Sequence, residues 1–105
     1  MTLGETLVLV WQQSLADGLE AVNLGNETYP VTVIRTKNLR SVYFSYGELR
    51  IVGIEQNPAT SSRWAALARE GKRIMQFRCQ GRYVANVCEG KLVQYPAWKA
   101  LALPD

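Results

Sequence analysis

The chain holds few residue types able to move a proton or attack a bond. It has no histidine, which removes Ser-His and Cys-His activation of a nucleophile and the commonest metal ligand. Its two cysteines, Cys79 and Cys88, lack CxxC spacing and cannot close a zinc site alone. No glycine-rich loop leads into a Lys-Ser/Thr pair and no GxGxxG follows a strand, so neither nucleotide fingerprint is present. Among the acids, Glu55 ends an apolar stretch beside Gln56 and Asn57. An enzyme would need Glu55 to sit in a pocket that alters its titration, with Glu48 and Glu70 near it only through the fold. The plainer expectation is a strand-end carboxylate satisfied by neighbouring arginines. The sequence points away from catalysis: no catalytic residue, metal site or cofactor is expected.

What the chain does concentrate is positive charge. Residues 1–34 carry Glu5, Asp17, Glu20 and Glu27 with no Lys or Arg, whereas residues 35–84 carry ten basic residues against three acids. This split points to an anionic partner. Arg35, Lys37 and Arg40 cluster around one loop, and Arg50 follows the turn after Tyr43, Phe44 and Tyr46. Arg73, Arg78 and Arg82 border a later meander that contains Tyr83. Single-stranded nucleic acid is held by such sets, cations tracking phosphates while rings stack on bases. The expected contacts are Arg35, Lys37, Arg40, Arg50, Arg78 and Arg82, with Tyr43 or Tyr83 stacking. Alternation assigns Val42, Phe44 and Tyr46 to a core face and turns Tyr43 outward with Ser41 and Ser45. The reading carries a condition. If Arg35, Arg40, Arg50, Arg78 and Arg82 lie on different faces, it is withdrawn.

A second reading makes the protein a docking module for an acidic protein or a second copy of itself. Its anchor would be the apolar stretch around Trp98 and Leu101. Such a stretch more commonly folds back on its own domain. Trp64, beside Arg63, reads as a core anchor in the same way.

The elements that must position these residues can be read from patterning. At 105 residues the chain is one domain, residues 1–105, and needs no disulfide or metal to stand. Thr6 to Gln12 is β-branched and aromatic, which predicts a buried strand, although Leu7, Trp11, Leu15 and Leu19 also fall at helical spacing. Ser14 and Asp17 then suggest a capped helix with Leu15, Leu19 and Val22 on one face, ended by Gly25. Tyr29 to Thr36 reads as a strand, with Pro30 near its start. Ser41–Tyr46 and Leu49–Glu55 form a hairpin, because glycine first in Gly47-Glu48 suits a type II′ turn. A short helix follows Thr60-Ser61-Ser62, with Trp64, Leu67 and Ala68 as its stripe and Gly71 as its stop.

From Arg73 to Tyr95 the pattern predicts a three-stranded meander turning at Gln80-Gly81 and Glu89-Gly90. Tight turns place Cys79 opposite Arg82, Phe77 opposite Val84, Cys88 opposite Lys91 and Asn86 opposite Val93. Met75, Phe77, Val84, Val93 and Tyr95 then share one face, and Ile74, Tyr83, Ala85, Val87 and Leu92 the other. The two cysteines lie roughly 20 Å apart at about 3.3 Å per residue, too far to bridge. After Pro96, one or two helical turns carry Trp98 and Leu101. The expected fold is α+β: a mostly antiparallel twisted sheet of about five or six strands with two short helices, or alternatively a partly open small β-barrel.

The longest apolar run, Leu7 to Trp11, is far short of the roughly 20 residues that span a bilayer, and the start lacks a secretory pattern. A reducing, cytoplasmic setting without membrane contact is expected. The segments Arg35-Thr36-Lys37-Asn38-Leu39-Arg40-Ser41, Gly53-Ile54-Glu55-Gln56-Asn57-Pro58, Ser62-Arg63-Trp64-Ala65 and Gly81-Arg82-Tyr83-Val84-Ala85-Asn86-Val87 together resemble a family of small, uncharacterised cyanobacterial-type proteins. The resemblance covers most of residues 28–95. It implies a bacterial cytoplasmic setting and supplies no activity, ligand or site residue.

Overall fold

Thr2 opens a helix where the sequence pattern suggested a strand. In the computed structural model, which describes residues 2–16, 18–36, 39–56 and 74–101, α1 spans Leu3–Gln13. The Thr2 hydroxyl accepts the Glu5 N–H at 3.1 Å, and the Glu5 carboxylate accepts the Thr2 N–H at 3.4 Å. This reciprocal cap satisfies two donors that the first helical turn leaves open. Leu3, Thr6, Leu7 and Val10 form one buried stripe, and its burial outweighs the β preference of the Val-rich run. Ser14 closes this helix rather than starting another: its N–H donates to the Val10 carbonyl at 2.9 Å and its hydroxyl to that of Trp11 at 2.8 Å. Val22, expected on a second helix, lies buried in a strand.

Among the described residues seven strands follow: β1 (Ala21–Leu24), β2 (Glu27–Arg35), β3 (Leu39–Tyr46), β4 (Leu49–Gln56), β5 (Ile74–Cys79), β6 (Arg82–Cys88) and β7 (Lys91–Gln94). All neighbours pair antiparallel in sequence order. The long β2 pairs with β1 through Glu27–Pro30 and with β3 through Val31–Arg35. Helix α1 packs against β1 at one edge and against β6 and β7 at the other. The sheet is thus curled around its helix as a partly open barrel, with more strands than the five or six expected. The short helix expected after Thr60 lies outside the described residues.

Turn chemistry explains the hairpins. Tyr46 pairs with Leu49, and Gly47 takes φ +62° at the first turn position while Glu48 does not take a positive φ, as a type II′ turn needs. Gln80-Gly81 and Glu89-Gly90 have positive φ at both positions, the type I′ pattern. Cys79 pairs with Arg82, Cys88 with Lys91 and Asn86 with Val93, as expected. Both cysteines remain thiols.

One register differs. Between Phe77 and Arg78 a bulge intervenes, so Phe77 pairs with Ala85 rather than Val84, and Met75 with Val87. Without it, regular pairing would bring Asn86 opposite Met75, which is fully buried. The extra residue turns Ala85 and Val87 inward and Asn86 outward, since a slip of one reverses every later side chain. Val93 and Tyr95 consequently share the face opposite to Phe77.

The inner face carries Val42, Phe44, Ile51, Met75, Phe77 and Val87 against the α1 stripe. Pro96–Leu101 forms a 3-10 helix that returns to β6. Its Trp98 is buried and Leu101 packs against the same core.

Candidate binding surface

The arginines singled out by the sequence divide between two roles. Arg40 shares the inner face with Val42 and Phe44, where it is 7% exposed. Its guanidinium donates to the Ser14 carbonyl at 2.5 Å and to the Glu55 carboxylate at 2.7 Å. Arg35, its register partner on β2, donates to the carbonyls of Ser14 at 3.4 Å and Ala16 at 3.3 Å. Helix α1 has no basic residue in its own last turn, so two strands supply the cations that its carbonyl end attracts. Glu55 is therefore the partner of an arginine at the strand end. Arg35 and Arg40 hold the fold together, and this role explains why they lie away from the other basic residues.

Arg82 is exposed at the β5–β6 turn and pairs with Cys79, an inner-face residue. Lys37 lies outside the described residues, as does Arg63. The five arginines do not share a face, so the nucleic-acid reading built on them is withdrawn, as its own condition requires.

A narrower arrangement occupies the outer face. Register pairs link Thr32 to Tyr43, Tyr43 to Val52, Val52 to Arg78 and Arg78 to Tyr83. These five side chains form one row across β2 to β6. Neighbouring strands lie about 4.8 Å apart, so roughly 14 Å separates the Tyr43 and Tyr83 backbones. Tyr43 is 45% exposed. Arg50 stands on the same face, paired with Ser45. Among the described residues, Arg50 and Arg78 have no hydrogen-bond or ion-pair partner for their side chains, and both are exposed.

The two ends of the row differ. At the first, an open depression of about 530 Å³ is lined by Pro30, Thr32, Tyr43, Ser45 and Arg50 together with parts of three neighbours. At the second, the Tyr83 hydroxyl donates to the Asn86 side-chain oxygen, and the Asn86 amide donates to the Tyr95 hydroxyl at 2.8 Å. The Tyr83 and Tyr95 rings meet edge to face with centroids 4.8 Å apart. Asn86 is 7% exposed, so this network holds Tyr83 in one orientation.

Sequence reasoning selected Tyr43, Arg50, Arg78 and Tyr83, which the fold does bring together. It passed over Thr32 as a surface residue, although alternation along Tyr29 to Thr36 carried that signal. Trp98 and Leu101, the anchors of the docking alternative, face their own core, as the plainer expectation for that stretch had it.

Among the described residues no group of three or more His, Cys, Asp or Glu is placed to hold a metal ion, and no helix is long and apolar enough to cross a membrane. In comparison with known proteins, no family model, curated protein or solved structure matches the chain.

Proposed function

We propose that this protein is a non-catalytic binding module that holds a short stretch of single-stranded nucleic acid across the outer face of its sheet. The observation that carries the reading is the unbroken row Thr32, Tyr43, Val52, Arg78 and Tyr83. It is separate from the withdrawn five-arginine surface and rests on this juxtaposition alone, with Arg78 and Arg50 as its cations. Two aromatic rings flank a cation on one curved sheet, the composition by which such surfaces hold unpaired bases and their phosphates. Arg50 adds a second cation without a side-chain partner among the described residues. Two thiols, Cys79 and Cys88, fit a reducing cytoplasmic setting.

The small number of cations makes the reading quantitative. Two phosphates neutralised on a single strand give a salt slope of about −1.4, so affinity falls about sevenfold between roughly 50 and 200 mM salt. Fluorescence anisotropy with labelled single-stranded DNA, single-stranded RNA and duplex DNA tests this at both salt concentrations. Single strands should bind in preference to the duplex, with that shallow slope. Absence of single-strand binding up to about 100 μM, the weak end of non-specific association, overturns the reading. Equal affinity for the duplex overturns it too, because a paired base offers no face for a ring to stack on.

A further inference from the structure

We infer that the two ends of the row do different work: the Tyr43 end distinguishes bases, through the hydroxyls of Thr32 and Ser45, whereas the Tyr83 end stacks without distinguishing them. The inference rests on the nucleic-acid reading above and deepens it. Thr32 stands directly across from Tyr43 on β2, and Ser45 lies two residues further along β3 on the same face. Both line the depression beside the Tyr43 ring. Both side chains are exposed, and neither has a hydrogen-bond partner among the described residues. A base stacked on Tyr43 would therefore have its edge beside two groups that each donate and accept. Arg50, paired with Ser45, stands where the phosphate of that nucleotide can be met.

The other end is arranged differently. Tyr83 is fixed by Asn86 and Tyr95, and its hydroxyl is committed to the Asn86 side chain. Its register neighbour is Arg78, whose charge is here assigned to a phosphate. A ring alone tolerates any base, because every base has a π face. A hydroxyl beside a stacked base can both donate to and accept from its edge. Among the described residues along this row the exposed, unpartnered aliphatic hydroxyls, Thr32 and Ser45, lie at the Tyr43 end.

Labelled homopolymers of deoxyadenosine, deoxycytidine, thymidine and uridine, each of about eight nucleotides and so within the usual site size, test the division by anisotropy titration. The wild-type protein should rank them over about a tenfold range, the worth of one or two hydrogen bonds. Thr32→Val combined with Ser45→Ala should compress that range to within about twofold while leaving the salt slope unchanged. Tyr83→Leu should weaken all four together and keep their order. Both sets alter partly or fully exposed residues, and circular dichroism confirms that the variants fold. A ranking that survives the Thr32 and Ser45 changes, or a wild-type protein that binds all four equally, overturns this inference and leaves nucleic-acid binding standing. Failure of every homopolymer to bind overturns both.

Discussion

Arg40 and Glu55 face each other across the β3–β4 ladder and join at 2.7 Å, with side chains only 8% and 13% exposed. The pair completes a row that runs from Arg35 through Arg40 to Glu55, set against the carbonyl end of α1. Two like charges stand opposite each other in that row. Ser14 and Ala16 supply carbonyl oxygens and Glu55 supplies a full negative charge, so the arginines are held rather than repelled.

Removing one partner of such a pair strands the other in a poorly solvated place. Arg40→Ala should lower unfolding stability by about 3 kcal/mol in a urea titration, the low end of the range for buried pairs because Glu55 retains some exposure. Arg40→Lys should restore little, since an ammonium lacks the fork that reaches Ser14 and Glu55 together. The affinity of folded Arg40→Ala for single strands should match wild type. A stability change within about 0.5 kcal/mol would show that the pair behaves as an ordinary surface contact.

Gln13 makes an edge contact of a different sort. Its side-chain amide donates to the Asn23 carbonyl at 2.8 Å and accepts the Asn23 N–H at 2.8 Å. The last helical residue thereby substitutes for a neighbouring strand along β1, satisfying both backbone groups of one edge residue. Gln13→Ala should destabilise the protein by about 1–2 kcal/mol for the two bonds. It should also accelerate hydrogen exchange at the Asn23 amide more than at amides of β3 or β4. Unchanged exchange at Asn23 would mean that water replaces the contact without loss.

Gly53 is required by space. A Cβ built there would lie 2.6 Å from the Met75 sulfur and 2.7 Å from a Phe77 ring carbon, both buried. Gly53→Ala should therefore cost about 1–3 kcal/mol by overpacking. Met75→Ala should cost less in the Gly53→Ala background than alone, because truncation makes room for the added methyl. Strict additivity of the two changes would place the strain elsewhere.

These contacts show what could be read from the chain before folding and what could not. Local chemistry carried the hairpins: Gly47-Glu48, Gln80-Gly81 and Glu89-Gly90 each impose a turn, and the turn sets the pairing beside it. The first segment was ambiguous because its β-branched and aromatic run favours a strand, while Leu7, Trp11, Leu15 and Leu19 fall at helical spacing; the stripe that is buried is Leu3, Thr6, Leu7 and Val10. Burial decided it, although Thr2 and Glu5 already formed a legible cap. The bulge before Arg78 left no local mark and follows from the demand that Asn86 stay out of the core. The candidate site was half legible. Tyr43 pointed outward by alternation, but nothing near Arg40 in sequence announced Ser14, its acceptor, which lies 26 residues earlier.

Cys79 gives stability a dependence on pH. The thiol is buried on the inner face, and desolvation raises its pKa above the ordinary thiol value of about 8.5. In the unfolded chain the thiol ionises at its ordinary pKa, while in the folded protein it keeps its proton to higher pH. The unfolded state then binds fewer protons, so stability falls as pH rises beyond the ordinary thiol range. The contribution is fully present below that range and is lost on the alkaline side. Urea midpoints measured from about pH 7 to 10 should decline in the wild type and decline less in Cys79→Ala. Parallel curves for the two proteins would remove Cys79 as the cause.

Arg78 and Tyr43 should separate the two forces on the outer face. Arg78 meets charge, so Arg78→Ala should make the single-strand salt slope shallower by about 0.7, the share of one phosphate. Tyr43 meets a base, so Tyr43→Ala should weaken binding at least about fivefold, the low end for one stacked base. Its salt slope should stay at the wild-type value, because no phosphate contact is lost. Both side chains are exposed and without hydrogen-bond partners among the described residues, so thermal unfolding should be nearly unchanged in both variants. If Tyr43→Ala changed the slope while Arg78→Ala left it alone, the assigned roles would be reversed. If neither variant altered binding, the row would not be the surface that the strand occupies.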